Sequence, residues 1–364
     1  MKKLTLFSVI LMVVLANMVF AGRPIGVFAN KNTNCIQFID PITQTVSDHL
    51  LKGDLGTYAG GLMDVVITSD RKTAIVSNMG DSRIYFIDIS RGFNDQPILL
   101  GSTWVFIPPE DMAITPDDNY VVVTDGGNSN HAAVVDIPSR SLVRVQYLKG
   151  ASVQAAAVTP DGELVLFADY GGGALHSYRI DGEGTLSYKE TQLIRPFSPV
   201  NVAISPDGKT VIVVHAFSSR ASVFLIDSMH DLCFQEYISL PARGGQSCVF
   251  SGDGAKAYYL TNANPGKGTQ VHILDVASPG KVAASGTSIT VTPARGTGHF
   301  YGIETIALDP WDNYLYVTNP VASGAVTGIS IIDLATHTEV GYLMGTGIPT
   351  GICFTALQHP GGNE

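Results

Sequence analysis

Short apolar runs rich in valine and isoleucine recur along the whole chain, each bounded by Gly, Pro, Asp, Asn or Ser. The run Asn201 to His215, N-V-A-I-S-P-D-G-K-T-V-I-V-V-H, shows the unit most clearly. Val202–Ser205 forms one short arm, and the β-branched Val211–Val214 forms the other, a composition that suits a pleated surface. Between the arms, Pro206 presets φ while Asp207 and Gly208 tolerate the conformations that reverse a chain. The pattern predicts a β-hairpin.

The same hairpin begins at Val65, Met112, Ala156, Cys248 and Ile306, and a degenerate copy begins at Ile352. Taking Thr68, Thr115, Thr159, Ser205, Ser251, Asp309 and Thr355 as equivalent, the spacings are 47, 44, 46, 46, 58 and 46. A second marker keeps the same beat: an apolar run ending in Asp occurs at Asp40, Asp88, Asp136, Asp181, Asp227, Asp275 and Asp333. Repeats of about 40 to 50 residues with several strands each are the signature of propeller blades. The expected fold is therefore all-β, a propeller of seven four-stranded antiparallel blades.

Pro24–Ala29 matches the second arm of the unit, and Ile352–Thr355 matches only the first. The last strand is thus expected to pair with the N-terminal segment and close the ring, removing the edges that an open array leaves for aggregation.

Leu315–Asn319 reads L-Y-V-T-N, and Tyr259–Asn262 is a near copy, Y-L-T-N. With the S-P-D-G and T-P-D-G turns, these residues resemble the YVTN-repeat seven-bladed propellers of bacterial and archaeal envelopes, a group that also resembles the lactonase-type propellers. The resemblance covers essentially the whole chain after residue 21. It implies the fold; the shared residues build strands and turns, so function has to be argued from a site.

Lys2 and Lys3, an apolar run from Leu4 to Leu15, and Val19-Phe20-Ala21 before Gly22 have the order of a secretory signal peptide cleaved after Ala21. The apolar run is too short for a membrane anchor, and Asn17 interrupts it. The expectation is a secreted or periplasmic protein whose residues 22–364 form one domain, with no transmembrane segment after cleavage. Without Lys2 and Lys3, 20 basic side chains face 32 acidic ones, a net charge of −12. Such a balance argues against nucleic acid as a partner, since phosphates call for a basic surface. Cys35, Cys233, Cys248 and Cys353 map to strands too far apart for easy bridging, so all four are expected as buried free thiols.

Neighbouring strands of a blade run antiparallel, so the start of each first strand and the end of each second strand share one mouth of the central channel. Just before the first strands stand Met63, Asp64, Glu110, Asp111, Gln154, Asn201, Gln246, Glu304 and Thr350. Just after the second strands stand Asn30, Asn78, Asp125, Asp169, His215, Asn262 and Asn319. These residues predict a polar, acidic funnel. For the second group there is an equally physical alternative, because Asn and Asp after a strand often satisfy the following turn.

Three chemistries fit the funnel. A hard cation such as Ca²⁺ takes carboxylate oxygens, and Glu110, Asp111, Asp125 and Glu304 supply them, although no contiguous calcium loop is present. In a lactonase-type hydrolase or a lyase, Arg295 or the cation would polarise a carbonyl, and Glu304 or His299 would activate water. In a binding module, Glu110, Asp111, Asp125, Asn201, His215, Gln246, Asn262 and Asn319 would hold a small polar ligand or a protein partner. The loop Thr292–Glu304 attracts attention because the excess of the 58-residue spacing falls between Asp275 and Ile306. The chain contains no C-x-x-C-H, G-x-S-x-G, G-x-G-x-x-G or P-loop, and only two tryptophans. On that basis the expectation is a monomeric binding module of the cell envelope, with the hydrolase as the alternative.

Overall fold

The computed structural model describes residues 24–56, 61–127, 129–194, 198–262, 269–291, 305–319, 327–344 and 347–355. They form seven four-stranded antiparallel sheets. Blades one to six comprise residues 62–104, 109–147, 153–193, 199–239, 245–290 and 306–344 in chain order. The seventh combines Pro349–Phe354 with Gly26–Asn30, Cys35–Asp40 and Thr45–Val46. Val27 lies opposite Cys353 and Phe28 opposite Ile352, so the ring closes as the repeat pattern requires. Thr355 locks the seam, its hydroxyl accepting from the Ile25 N–H at 3.0 Å while its own N–H donates to the Ile25 carbonyl at 3.0 Å.

The core lies between blades. Ile75, Ile84 and Phe86 of blade one pack on Met112, Val121, Val123, Ala133 and Val135 of blade two, and comparable clusters follow around the ring. Second strands are covered on both faces, and all six residues of Leu164–Asp169 are buried. That is why their sequences are continuous apolar runs rather than alternating ones.

The recurrent turn is built alike in five of the copies. A Thr or Ser hydroxyl donates to the Asp two residues on, at 2.5–2.7 Å, in Thr68–Asp70, Thr115–Asp117, Thr159–Asp161, Ser205–Asp207 and Ser251–Asp253. The next residue takes a left-handed conformation, at φ of 75°, 73° and 70° for Gly162, Gly208 and Gly254. Glycine is favoured there because it has no Cβ to clash. The second marker is also a turn device: Asp40, Asp88, Asp136, Asp181, Asp227 and Asp333 each accept backbone N–H groups from the residues that follow.

Part of the long spacing is accounted for by an extended outer hairpin, Gln270–Ser278 with Lys281–Thr290, which is bulged between His272 and Leu274. All four cysteines are free, and Cys35 and Cys248 are buried. Cys233 and Cys353 are only half-buried, a correction to the expectation for those two. Cys233 sits on an outer edge strand with water on one side.

Candidate functional site

The hub mouth is shaped by a defect repeated around the ring. In blades one to five, and where Phe28 and Asn30 meet Ile352 and Pro349, the inner strand carries a bulge at its start. Between Leu62 and Val65, for example, two residues oppose only one on the partner strand. A bulge bends the strand and re-aims its side chains. Here it turns Met63, Asp64, Glu110, Asp111, Gln154, Val200 and Gln246 towards the axis, where with Ala155, Asn201 and Thr305 they line a cavity of about 40 Å³.

Two of the carboxylates tie adjacent blades together. Asp64 accepts from the Met112 N–H at 3.0 Å, and Asp111 accepts from the Ala156 N–H at 2.8 Å. Inner strands expose an unpaired edge to the channel, and each Asp satisfies an N–H on the edge of the next blade. Gly351 makes room for this, since a Cβ there would lie 2.5 Å from Asp64 Cα and 2.6 Å from its Oδ1. Although both carboxylates keep a little surface on the narrow cavity, desolvation dominates. It raises Asp64 to about 6, and it lifts Asp111 well above the usual range, helped by the charges of Asp64 and Glu110.

Glu110 differs from this pair. Among the described residues no hydrogen bond holds its carboxyl, and burial raises it to about 7, with Lys31 pulling it down and Asp125 pushing it up. Lys31 is itself lowered by burial, against the opposing effect of Glu110. Gly126 leaves the space that Glu110 occupies: a Cβ there would lie 3.1 Å from Glu110 Oε2 and 2.4 Å from Met79 Cε. On the far side of the cavity, Asn201 Oδ1 has no partner among the described residues, and Gln246 donates to Asn262 Oδ1 at 3.2 Å.

The structure thus brings Glu110, Asp111, Asn201 and Gln246 to one cavity, with Asn262 joined through Gln246. Asp64 and Thr305 belong with them, and Lys31 was not anticipated from the sequence. The residues expected after the second strands are mostly used within their own blades. Asp169 accepts from Ser152 N–H and Gly172 N–H and meets His176 Nε2 at 3.2 Å. His215 pairs with Ser222 at 2.7 Å, and Asn319 donates to Ser330 at 2.9 Å. His215 and Asn319 are buried in the blade body, so neither side chain is offered to the mouth. Asp125 accepts from Gly127 N–H at 2.7 Å and from Ser129 Oγ, beside His131.

Among the described residues, no group of three or more His, Cys, Asp or Glu side chains is arranged to hold a metal ion. Of the four candidate Ca²⁺ ligands, Glu110, Asp111 and Asp125 are described, with Asp111 and Asp125 each accepting a backbone N–H, while the fourth, Glu304, is not. Glu304, His299 and Arg295 lie outside the described residues, as does the rest of the loop 292–304.

A family model described as "Lactonase, 7-bladed beta-propeller" matches residues 141–232, from the last strand of blade two into blade four. That description agrees with the seven four-stranded blades that the described residues form. A search of curated proteins returns no match to this chain. Among solved structures, it is similar to a functionally unknown protein from Desulfotomaculum acetoxidans, with a TM-score of 0.77 and 17% identity, covering 91% of this chain and 99% of that one. It is also similar to a periplasmic gluconolactonase from Pseudomonas aeruginosa, with a TM-score of 0.74 and 16% identity over 92% of this chain and 99% of the other. Hydrazine synthase from Kuenenia stuttgartiensis shares 24% identity at a TM-score of 0.58, covering 75% of this chain and 77% of that one. One scaffold carries proteins of different named activities, so these likenesses establish the propeller and leave the chemistry to the site.

Proposed function

We propose that this chain is an exported hydrolase of small ring esters, with Glu110 as its general base. The observation that carries the reading is the Glu110 carboxyl at the lip of the polar cavity, held by no hydrogen bond among the described residues and brought by burial to about 7. A base is most effective when its pKa lies near the working pH. The cavity of about 40 Å³ has room for a few water molecules and none for a lactone ring, so the ring lies over the mouth and the attacking water lies beneath it.

In this reading Glu110 takes a proton from water as the oxygen attacks the ring carbonyl. The ring C–O bond then breaks, the released oxygen takes up a proton, and a hydroxy acid leaves. Lys31 supplies positive charge at the mouth for the developing oxyanion, and the amides of Asn201 and Gln246 orient the ring's polar groups. The lactonase family match and the gluconolactonase likeness support the reaction class. Residues 1–21, with the order of a signal peptide, support export. Leu315–Asn319 and Tyr259–Asn262 alone carry the narrower YVTN resemblance and the envelope setting it implies.

The test is turnover of D-glucono-1,5-lactone by purified protein, corrected for spontaneous opening. Activity that is lost in Glu110→Gln supports the proposal. Saturable binding of the lactone without turnover would replace it with the binding-module reading.

A further inference from the structure

Trp104 and Phe106 stack on one another at the mouth face, with ring centroids 4.0 Å apart and planes 30° from parallel. Neither ring serves the core, since Trp104 is 51% and Phe106 is 59% exposed. Phe106 also sits at φ 60°, a region an aromatic residue rarely enters. Strain of this kind persists where function or surrounding structure holds it.

The positions equivalent to Trp104, opposite the first residue of each third strand, hold Tyr147, Leu193, Ser239, Thr290 and Met344. An exposed apolar side chain recurs at the Trp104 position, as Tyr147, Leu193 and Met344 show, but no other blade places a second ring two residues on, where Lys149, Arg195, Pro241, Thr292 and Thr346 stand. Directly across from Trp104 stands Arg83, which gives one N–H to Ser102 Oγ at 3.1 Å and, among the described residues, no other hydrogen bond from its five-donor fork. An apolar plane edged by such donors suits a ring with apolar faces and a polar perimeter. Phe106 is four residues before Glu110, which limits their separation to about 14 Å. The mouth itself is lined by Asp64, Glu110 and Asp111, an acidic wall that disfavours a phosphorylated ligand.

We propose that Trp104 and Phe106 form a stacking platform for a pyranose ring of a neutral saccharide, with Arg83 bonding its hydroxyl groups. The inference rests on the hydrolase reading for what happens at Glu110, but the platform binds whether or not a lactone is opened. Trp311, the other tryptophan, stands in a hairpin turn on the opposite face, so Trp311→Phe leaves Trp104 as the sole indole reporter.

The experiment titrates that variant with maltose and with inorganic phosphate while following indole emission. The expected result is a saturable change with maltose and none with phosphate. Adding Phe106→Gly should weaken maltose at least tenfold while leaving Tm unchanged or higher, because glycine relieves the backbone strain. No response to maltose, or undiminished maltose affinity in Phe106→Gly, would overturn the proposal. So would a lowered Tm in that variant with unchanged affinity, which would make Phe106 a structural residue. Maltose binding in a protein that opens no lactone would retain the platform and remove the hydrolase reading.

Discussion

Three carboxyl groups share the hub mouth, and what surrounds each decides what it can do. Asp64 and Asp111 are fastened to neighbouring backbone and act as braces, whereas Glu110 has no such bond among the described residues. Folding raises Asp64 from its ordinary value of 3.8 to about 6. Between those two values the unfolded chain has lost the proton that the folded protein keeps, so this group makes stability fall as pH rises from about 4 to about 6. Asp64→Asn retains an acceptor for Met112 N–H and removes the buried charge. Denaturant unfolding at pH 8 should therefore show the variant more stable by about 1–3 kcal/mol, with the advantage fading at pH 4.5. Lys31 acts on Glu110 in the opposite direction. Since its charge lowers Glu110, Lys31→Met should move the rising limb of a pH–activity profile to higher pH, measured as kcat/KM for the lactone.

At the scale of the strand, the bulges are what sequence reading did not reveal. An extra residue shared by successive copies leaves the spacing between them unchanged, so nothing in the repeat betrays it. The side chains that turn inward could be listed from the hairpin starts, but why two consecutive residues such as Glu110 and Asp111 both reach the cavity could not. His215 and Asn319 show the converse. Their place at strand ends was legible, but their hydrogen bonds to Ser222 and Ser330 depend on a third strand packed beside them, a contact made only in the fold. Glycines at the bulges test this packing. Gly351→Ala puts a methyl group within 2.6 Å of the Asp64 backbone and carboxylate, and should destabilise by about 1–3 kcal/mol in thermal or denaturant unfolding. Gly126→Ala instead presses on Glu110 and on the flexible end of Met79, so its expected signature is altered lactone turnover with a smaller loss of stability.

For the whole molecule, architecture was the most legible level because it rests on redundancy. Seven copies of one turn and seven strand-end aspartates fixed blade number and ring closure, and any single degenerate copy, such as Ile352–Thr355, was outvoted. The site had no such redundancy. Lys31 is an ordinary loop residue in sequence, and only closure of the seventh blade brings it beside Glu110. Closure should matter as much for stability as for the site. A chain ending at Gly347 would leave Gly26–Asn30 without its inner partner and expose two sheet edges. Size-exclusion chromatography of that truncation should show oligomers or aggregate, with an earlier and broader unfolding transition than the full chain.

The measurement that bears most directly on the hub site is the rate of D-glucono-1,5-lactone opening between pH 5.5 and 8.5, compared for the full chain and Glu110→Gln after subtraction of the spontaneous rate. An ionised Glu110 as base predicts activity rising through an apparent pKa of about 7 and at least a hundredfold lower kcat in the variant, with Tm unchanged or higher. Equal turnover by both proteins, or none above the spontaneous rate in either, would contradict the assignment.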